Sequence, residues 1–216
     1  QPAYASIVGA GANACVLHYR ENNAKSRDGD LVLIDAGAEY RGYAADITRT
    51  FPVNGRFRKE QRALHDLVCA AQAAALAQAR PGAAYEAGHD AAVATLTEGL
   101  LSLGLLKGRL EAAIARGDYK RFYRHKTGHW LGLDVHDVGE YRIDGESRLL
   151  EPGMVFTLEP GLYIPSDDAS VPAKWRGIGI RIEDDVLVTA DGHRVLTGAL
   201  ERSADEVEGL MASAAA

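Results

Sequence analysis

Cysteine is scarce in this chain of 216 residues. Cys15 and Cys69 are the only two, and they fall in apolar surroundings without paired spacing. That excludes a disulfide framework and points to reduced, structural thiols in a cytoplasmic protein. No apolar run nears the roughly 20 residues that a membrane span needs, and no signal peptide opens the chain. A basic surplus is also missing. The net charge of −6 argues against a dedicated nucleic-acid or anionic-membrane binder, because both need a basic face. Low-complexity linkers and fixed-period repeats are absent. So is an initiating Met. The start at Gln1, running directly into the strand-like YASIV, reads as a fragment whose natural beginning lies upstream.

What is present suits a folded domain. With 47% hydrophobic and 25% charged residues the composition is ordinary for a globular protein. A chain of this length hides roughly 70% of its extended surface on folding, enough for one large domain. Alternation predicts strands near Tyr4 to Val8, Cys15 to Tyr19, Leu31 to Ala36 and Ala44 to Phe51. Apolar residues at three- and four-residue steps predict helices from Lys59 to Ala79 and from Tyr85 to Leu103, with a short one at Leu110 to Arg116. Strands return at Met154 to Leu158, Ile178 to Ile182 and Asp185 to Thr189, and a capping box at Ser203 and Glu206 opens a terminal helix. This order implies an α+β domain with helices on one face of a largely antiparallel sheet. GAGANA, at Gly9 to Ala14, lacks the third glycine of a dinucleotide loop and no helix pattern follows it, so it reads as a glycine turn between strands.

The apolar strands of LVLIDAGAEYRGYAADITRTF contain two acids, Asp35 and Asp46. Strand interiors disfavour Asp, and a buried unpaired carboxylate costs several kcal/mol or takes up a proton. A turn at Arg41-Gly42 with Tyr40 facing Tyr43 sets Asp35 opposite Thr48 and Asp46 opposite Gly37. The two acids then become diagonal neighbours on one face, with Cα atoms roughly 7 to 8 Å apart. A second acid set, Glu159 in VFTLEPGLY and Glu183 in GIGIRIEDD, also sits in apolar strands. If the hairpins meet, each carboxylate pair at about 4 Å repels by roughly 4 kcal/mol at an effective dielectric of 20. A pair of divalent cations relieves that with the charges retained, whereas proton sharing suits two acids better than four. His129, between Gly128 and Gly132, supplies a nitrogen ligand. Such an oxygen-dominated shell favours Mn²⁺, with Zn²⁺ or Co²⁺ also able to occupy it.

IDAGAEYRGYAADITRTF, GHWLGLDVHDVG, EPGMVFTLEPGLYI and GIGIRIEDD resemble the metal-binding motifs of the pita-bread metallopeptidase family, most closely its aminopeptidase P branch, and the likeness covers nearly the whole chain. The resemblance implies a curved, largely antiparallel sheet with helices on its outer face and pseudo-twofold halves. It implies a catalytic domain over 1–216 that is incomplete at its N-terminus and belongs to a homo-oligomer when full-length. Two metal ions would be held by Asp35, Asp46, His129, Glu159 and Glu183, with Asp46 and Glu183 bridging. The implied reaction is hydrolysis of the bond between an N-terminal residue and a following proline. Glu159 would act as proton shuttle and His136 would contact the tetrahedral intermediate. His18 and His125 would stand near the substrate proline, His18 within the catalytic group. Arg181, Tyr163 and Tyr4 would line the pocket. A dipeptide-only prolidase and a pita-bread binding protein that has lost catalysis are the rival readings. Trp130 and Asp134 look more like aminopeptidase P.

Overall fold

The computed structural model describes residues 1–214. In chain order the strands are β1 (Ile7–Ala10), β2 (Leu31–Asp35), β3 (Glu39–Tyr40), β4 (Tyr43–Ala44) and β5 (Thr48–Pro52). Helices α1 (Lys59–Leu76), α2 (Tyr85–Ser102) and α3 (Leu110–Arg116) follow. Next come β6 (Arg142–Ile143), β7 (Glu146–Ser147), β8 (Val155–Leu158), β9 (Gly161–Ile164), β10 (Ile178–Arg181), β11 (Asp184–Val188) and β12 (His193–Val195), and α4 (Ala204–Ala214) closes the chain. Every strand pair named here is antiparallel. The fold is therefore mixed α and β, as the element order predicts.

The helices form where the apolar periodicity places them. α1 buries Leu64, Val68, Ala71 and Ala75, and α2 buries Ala92, Val93, Leu96 and Leu100, so the two helices share one core. Ile178, Ile180 and Ile182 join that core. Because successive strand residues point to opposite faces, the alternate residues Arg181 and Glu183 are turned away from the helices. At the start of α4, Ser203 Oγ and Glu206 exchange the bonds of a capping box: the Ser203 N–H donates to Glu206 at 3.0 Å and the Glu206 N–H donates back at 3.3 Å.

The first hairpin keeps the register expected of it. Tyr40 pairs with Tyr43 and Asp35 with Thr48, and the Ala45 N–H donates to Ala38 O at 3.0 Å, so no bulge intervenes. The glycine opposite Asp46 is set by close backbone packing. A Cβ on Gly37 would lie 1.6 Å from Ala45 O, so Gly37 lets the two backbones close on each other. The second hairpin bends midway. Its register sets Arg181 against Gly161 on one side and Asp184 against Leu158 on the other, which leaves Glu159 facing Glu183 at the break. Pro160, lacking an N–H, prevents the ladder from running straight through.

Two expectations are corrected. Cys15 to Tyr19 is no strand, and Gly9 to Ala14 is no simple turn. Gly11–Cys15 forms a 3₁₀ helix that lies against β10, where a Cβ on Gly179 would sit 2.3 Å from the Ala14 backbone. Ala14 packs with Leu33 and Tyr163, and the chain then turns at His18. β9 is an addition, a strand hidden in the sequence between Pro160 and Pro165.

Gly37→Ala is expected to destabilise the fold by ~3 kcal/mol or more, above the usual overpacking cost, because strand backbone rather than a flexible side chain must give way. Gly192→Ala, with open space around its Cβ, should stay within about 0.5 kcal/mol of the parent. Denaturant unfolding of the two variants checks the contrast, and equal midpoints would contradict it.

Candidate metal centre

Asp35, Asp46, His129, Glu159 and Glu183 all line one cavity of about 270 Å³, together with His18, His125, His136 and Arg181. The link between the hairpins is a backbone bridge: the Glu183 N–H donates to Thr48 O at 3.1 Å, seating β5 on the break of the second hairpin. Asp46, His129 and Glu183 each offer a ligand atom within 4.8 Å of the others. The rest close the ring. His129 Nε2 lies 3.4 Å from Asp46 Oδ2 and 3.5 Å from Glu159 Oε1, and the Tyr4 hydroxyl lies 2.6 Å from Asp35 Oδ1 and 2.5 Å from Asp46 Oδ1.

Polar groups behind these side chains hold them. His129 Nδ1 is 3.0 Å from Trp130 O, a contact that turns the ring so that Nε2 faces the acids. The segment around His129 lies close to β8, since a Cβ on Gly128 would sit 1.8 Å from Thr157 O. Thr48 Oγ1 donates to Glu183 Oε2 at 2.6 Å and accepts from Arg181 Nε at 3.1 Å. Arg181 also pairs with Asp35 and donates to the Tyr163 hydroxyl at 3.2 Å. Tyr163 in turn bonds His125 Nε2 at 2.9 Å.

Burial against insufficient counter-charge shows in the titrations. Burial pushes the Glu159 carboxyl up to about 7 despite His129 and Arg181. Burial, reinforced by Glu159, Asp46 and Asp35, drives Glu183 well above the carboxylate range. Burial also raises Asp35, with Arg181 opposing. Burial opposes a charge on His129, but Asp46 and Glu159 beside it override this and raise it. His125 is lowered to about 4 by burial and by Arg181. His136, its ring centroid 4.3 Å from that of His129, is lowered by burial and by the His129 charge. The Tyr4 hydroxyl is raised by burial and by Asp46 and Asp35. One guanidinium and one imidazole thus face a group of carboxyls that together call for more positive charge. An oxygen-rich ring with one free imidazole nitrogen fits divalent cations.

Sequence reasoning singled out the acids and the imidazole that line this cavity but passed over some of the residues that support them. Asp185, the second acid of EDD, accepts the Asp46 N–H at 3.2 Å, and burial raises it to about 7. Arg49 donates to Thr48 O at 2.9 Å and to Glu183 O at 2.6 Å and pairs with the fully buried Asp184 at 2.7 Å, clamping the junction of the hairpins from behind. A charged residue inside the strand TRTFP was the available signal. Neither cysteine takes part. Both are free and half-buried, and burial pushes each thiol up to about 12.

Comparison with known proteins agrees with this arrangement. The profile of Metallopeptidase family M24 matches residues 1–190. The chain is 52% identical over 213 residues to the Xaa-Pro aminopeptidase of Escherichia coli, covering 99% of this chain and 48% of that protein. It is 51% identical over 210 residues to the Xaa-Pro aminopeptidase of Haemophilus influenzae, covering 97% of this chain and 48% of the relative. The Pseudomonas aeruginosa aminopeptidase PepP superposes with a TM-score of 0.98 at 58% identity, over 99% of this chain and 48% of the other. An alanine variant of Escherichia coli aminopeptidase P in complex with substrate superposes with a TM-score of 0.95 at 52% identity, again over 99% of this chain and 48% of that one. The chain therefore spans about half the length of these relatives. A ring of carboxylates around one imidazole, in a chain so similar to these peptidases, leaves one assignment: the chain belongs to Metallopeptidase family M24.

Proposed function

We propose that residues 1–216 are a metallopeptidase catalytic domain that hydrolyses the bond between an N-terminal residue and a penultimate proline. The observation behind this is the convergence of Asp35, Asp46, His129, Glu159 and Glu183 on one cavity. The names of the similar relatives support the proline specificity. We read the two acid-bearing hairpins as the pseudo-twofold halves of a pita-bread fold, supported by the antiparallel pairing of each. Mn²⁺ is the preferred cation on the oxygen-rich donor set, with Zn²⁺ or Co²⁺ able to replace it. Cytoplasmic residence, supported by two free thiols, and homo-oligomerisation of the full-length protein complete the reading. Among the described residues no helix is long and apolar enough to cross a membrane.

Those five side chains would hold two divalent ions, with Asp46 and Glu183 bridging. When bound, the ions would lower the pKa of a water toward neutrality and polarise the scissile carbonyl. The chain's own residues would do the rest. Glu159 takes the proton of the attacking water on a spare carboxylate oxygen and delivers it to the leaving proline nitrogen. His136, exposed at the cavity edge, donates to the developing oxyanion. His18 and His125 flank the proline, His125 held by Tyr163. Arg181, its guanidinium committed to Asp35, Thr48 and Tyr163, shapes the pocket wall, and Tyr4 orients Asp35 and Asp46. The acids that hold the ions also attract a free N-terminal ammonium, which suits the removal of terminal residues.

Three experiments test this. Asp46→Ala or Glu183→Ala should abolish both metal loading and turnover, read by elemental analysis alongside peptide cleavage; near-normal metal content in either variant contradicts the bridging roles. Cleavage of Xaa-Pro-Xaa tripeptides is expected, whereas cleavage of Xaa-Pro dipeptides alone would mark a prolidase. The third is a pH titration. In the metal-free chain the Glu159 carboxyl, ordinarily near 4.5, holds its proton up to about 7, so folded protein retains a proton that unfolded protein has lost. Stability attached to this group is therefore lost as pH rises through that window. Metal must displace that proton and those that Glu183 and His129 also hold, so divalent affinity should climb at least about tenfold per pH unit between pH 5.5 and 6.5. Calorimetry showing an affinity flat across that range would overturn the assignment of Glu159 as a ligand.

A further inference from the structure

We propose that Lys126 reads the free carboxylate of short substrates, so that the site favours Xaa-Pro-Xaa peptides with an acid C-terminus over the same peptides amidated. This rests on the aminopeptidase reading above. The charge inventory of the cavity leads to it. Asp35, Asp46, Glu159 and Glu183 line the cavity, and its fixed cations are Arg181 and Lys126. Arg181 is 3% exposed, and its guanidinium is engaged by Asp35, Thr48 and Tyr163. Lys126 is different. Its side chain is 69% exposed, and its one ion pair is a loose contact of 3.8 Å to Glu86, whose other oxygen is taken by Arg142.

The root of Lys126 is fixed although its ammonium is not. His125 Nδ1 lies 2.8 Å from the Lys126 carbonyl, and His125 is itself tied to Tyr163. Lys126 also lines the neighbouring cavity of about 610 Å³, walled by Leu150, Phe156 and Leu158, so it stands on the rim between the two. A tripeptide extends at most roughly 10 Å. With its ammonium inside the cavity, such a peptide brings its carboxylate out toward the rim, where Lys126 presents an exposed ammonium able to pair with it. A longer peptide carries its carboxylate away from the rim, and the preference should fade with length.

The test compares kcat/KM for a matched Xaa-Pro-Xaa acid and amide on the metal-loaded chain. The parent should favour the acid roughly threefold, the size of an exposed ion pair. Lys126→Met should remove that preference and Lys126→Glu invert it. The change should fall on KM and shrink in molar salt, neither of which a purely structural role for Lys126 would produce. An acid-to-amide ratio that stays at the parent value in Lys126→Glu overturns the proposal. Failure to cleave either peptide would instead overturn the aminopeptidase reading. In that case calorimetric binding of Pro-Xaa acid against Pro-Xaa amide supplies the ratio, and an equal affinity in parent and Lys126→Glu sinks the role of Lys126.

Discussion

Mutual repulsion among buried carboxyls is the constraint around which the rest of this structure is arranged. Asp35, Asp46 and Glu183 are buried, Glu159 is half-buried beside them, and Asp185 stands behind Asp46. Uncompensated, such a group would force its members apart or protonate them. The chain answers in part with Arg181 and His129, and with hydroxyl donors from Tyr4 and Thr48. Their supply falls short, and burial holds the Glu159, Glu183 and Asp35 carboxyls above their ordinary range. On the reading proposed above, divalent cations would complete the balance, and fold and chemistry would share one electrostatic cause.

The scaffold achieves this by separating two jobs along each strand. Ile178, Ile180 and Ile182 anchor β10 and its continuation in the helical core, while the alternate residues Arg181 and Glu183 face the cavity. Where the second hairpin breaks at Pro160, Glu159 and Glu183 meet, and β5 docks there through Thr48. Arg49 holds that junction from behind, donating to the backbone carbonyls of Thr48 and Glu183.

Much of this was legible in the sequence, for identifiable reasons. The register of the first hairpin follows from alternation around a short turn, and because a one-residue slip would expose the whole strand, it is strongly specified. Helices α1 and α2 follow from their apolar spacing. The errors came where distant contacts decide. CVLHY alternates like a strand, yet Ala14 packs on Gly179 from far along the chain and the segment becomes a 3₁₀ helix and a turn. β9 escaped notice because prolines bracket it, so the direct opposition of Glu159 and Glu183 could not be read. Thr48 and Arg49 look like ordinary strand polar residues until the second hairpin arrives beside them.

Anomalous scattering from crystals of the chain grown with Mn²⁺ examines the central claim most directly. The account predicts two manganese peaks inside the cavity bounded by Asp35, Asp46, His129, Glu159 and Glu183. Saturating metal that leaves this cavity without a peak, while the five side chains stay where they are, would contradict it.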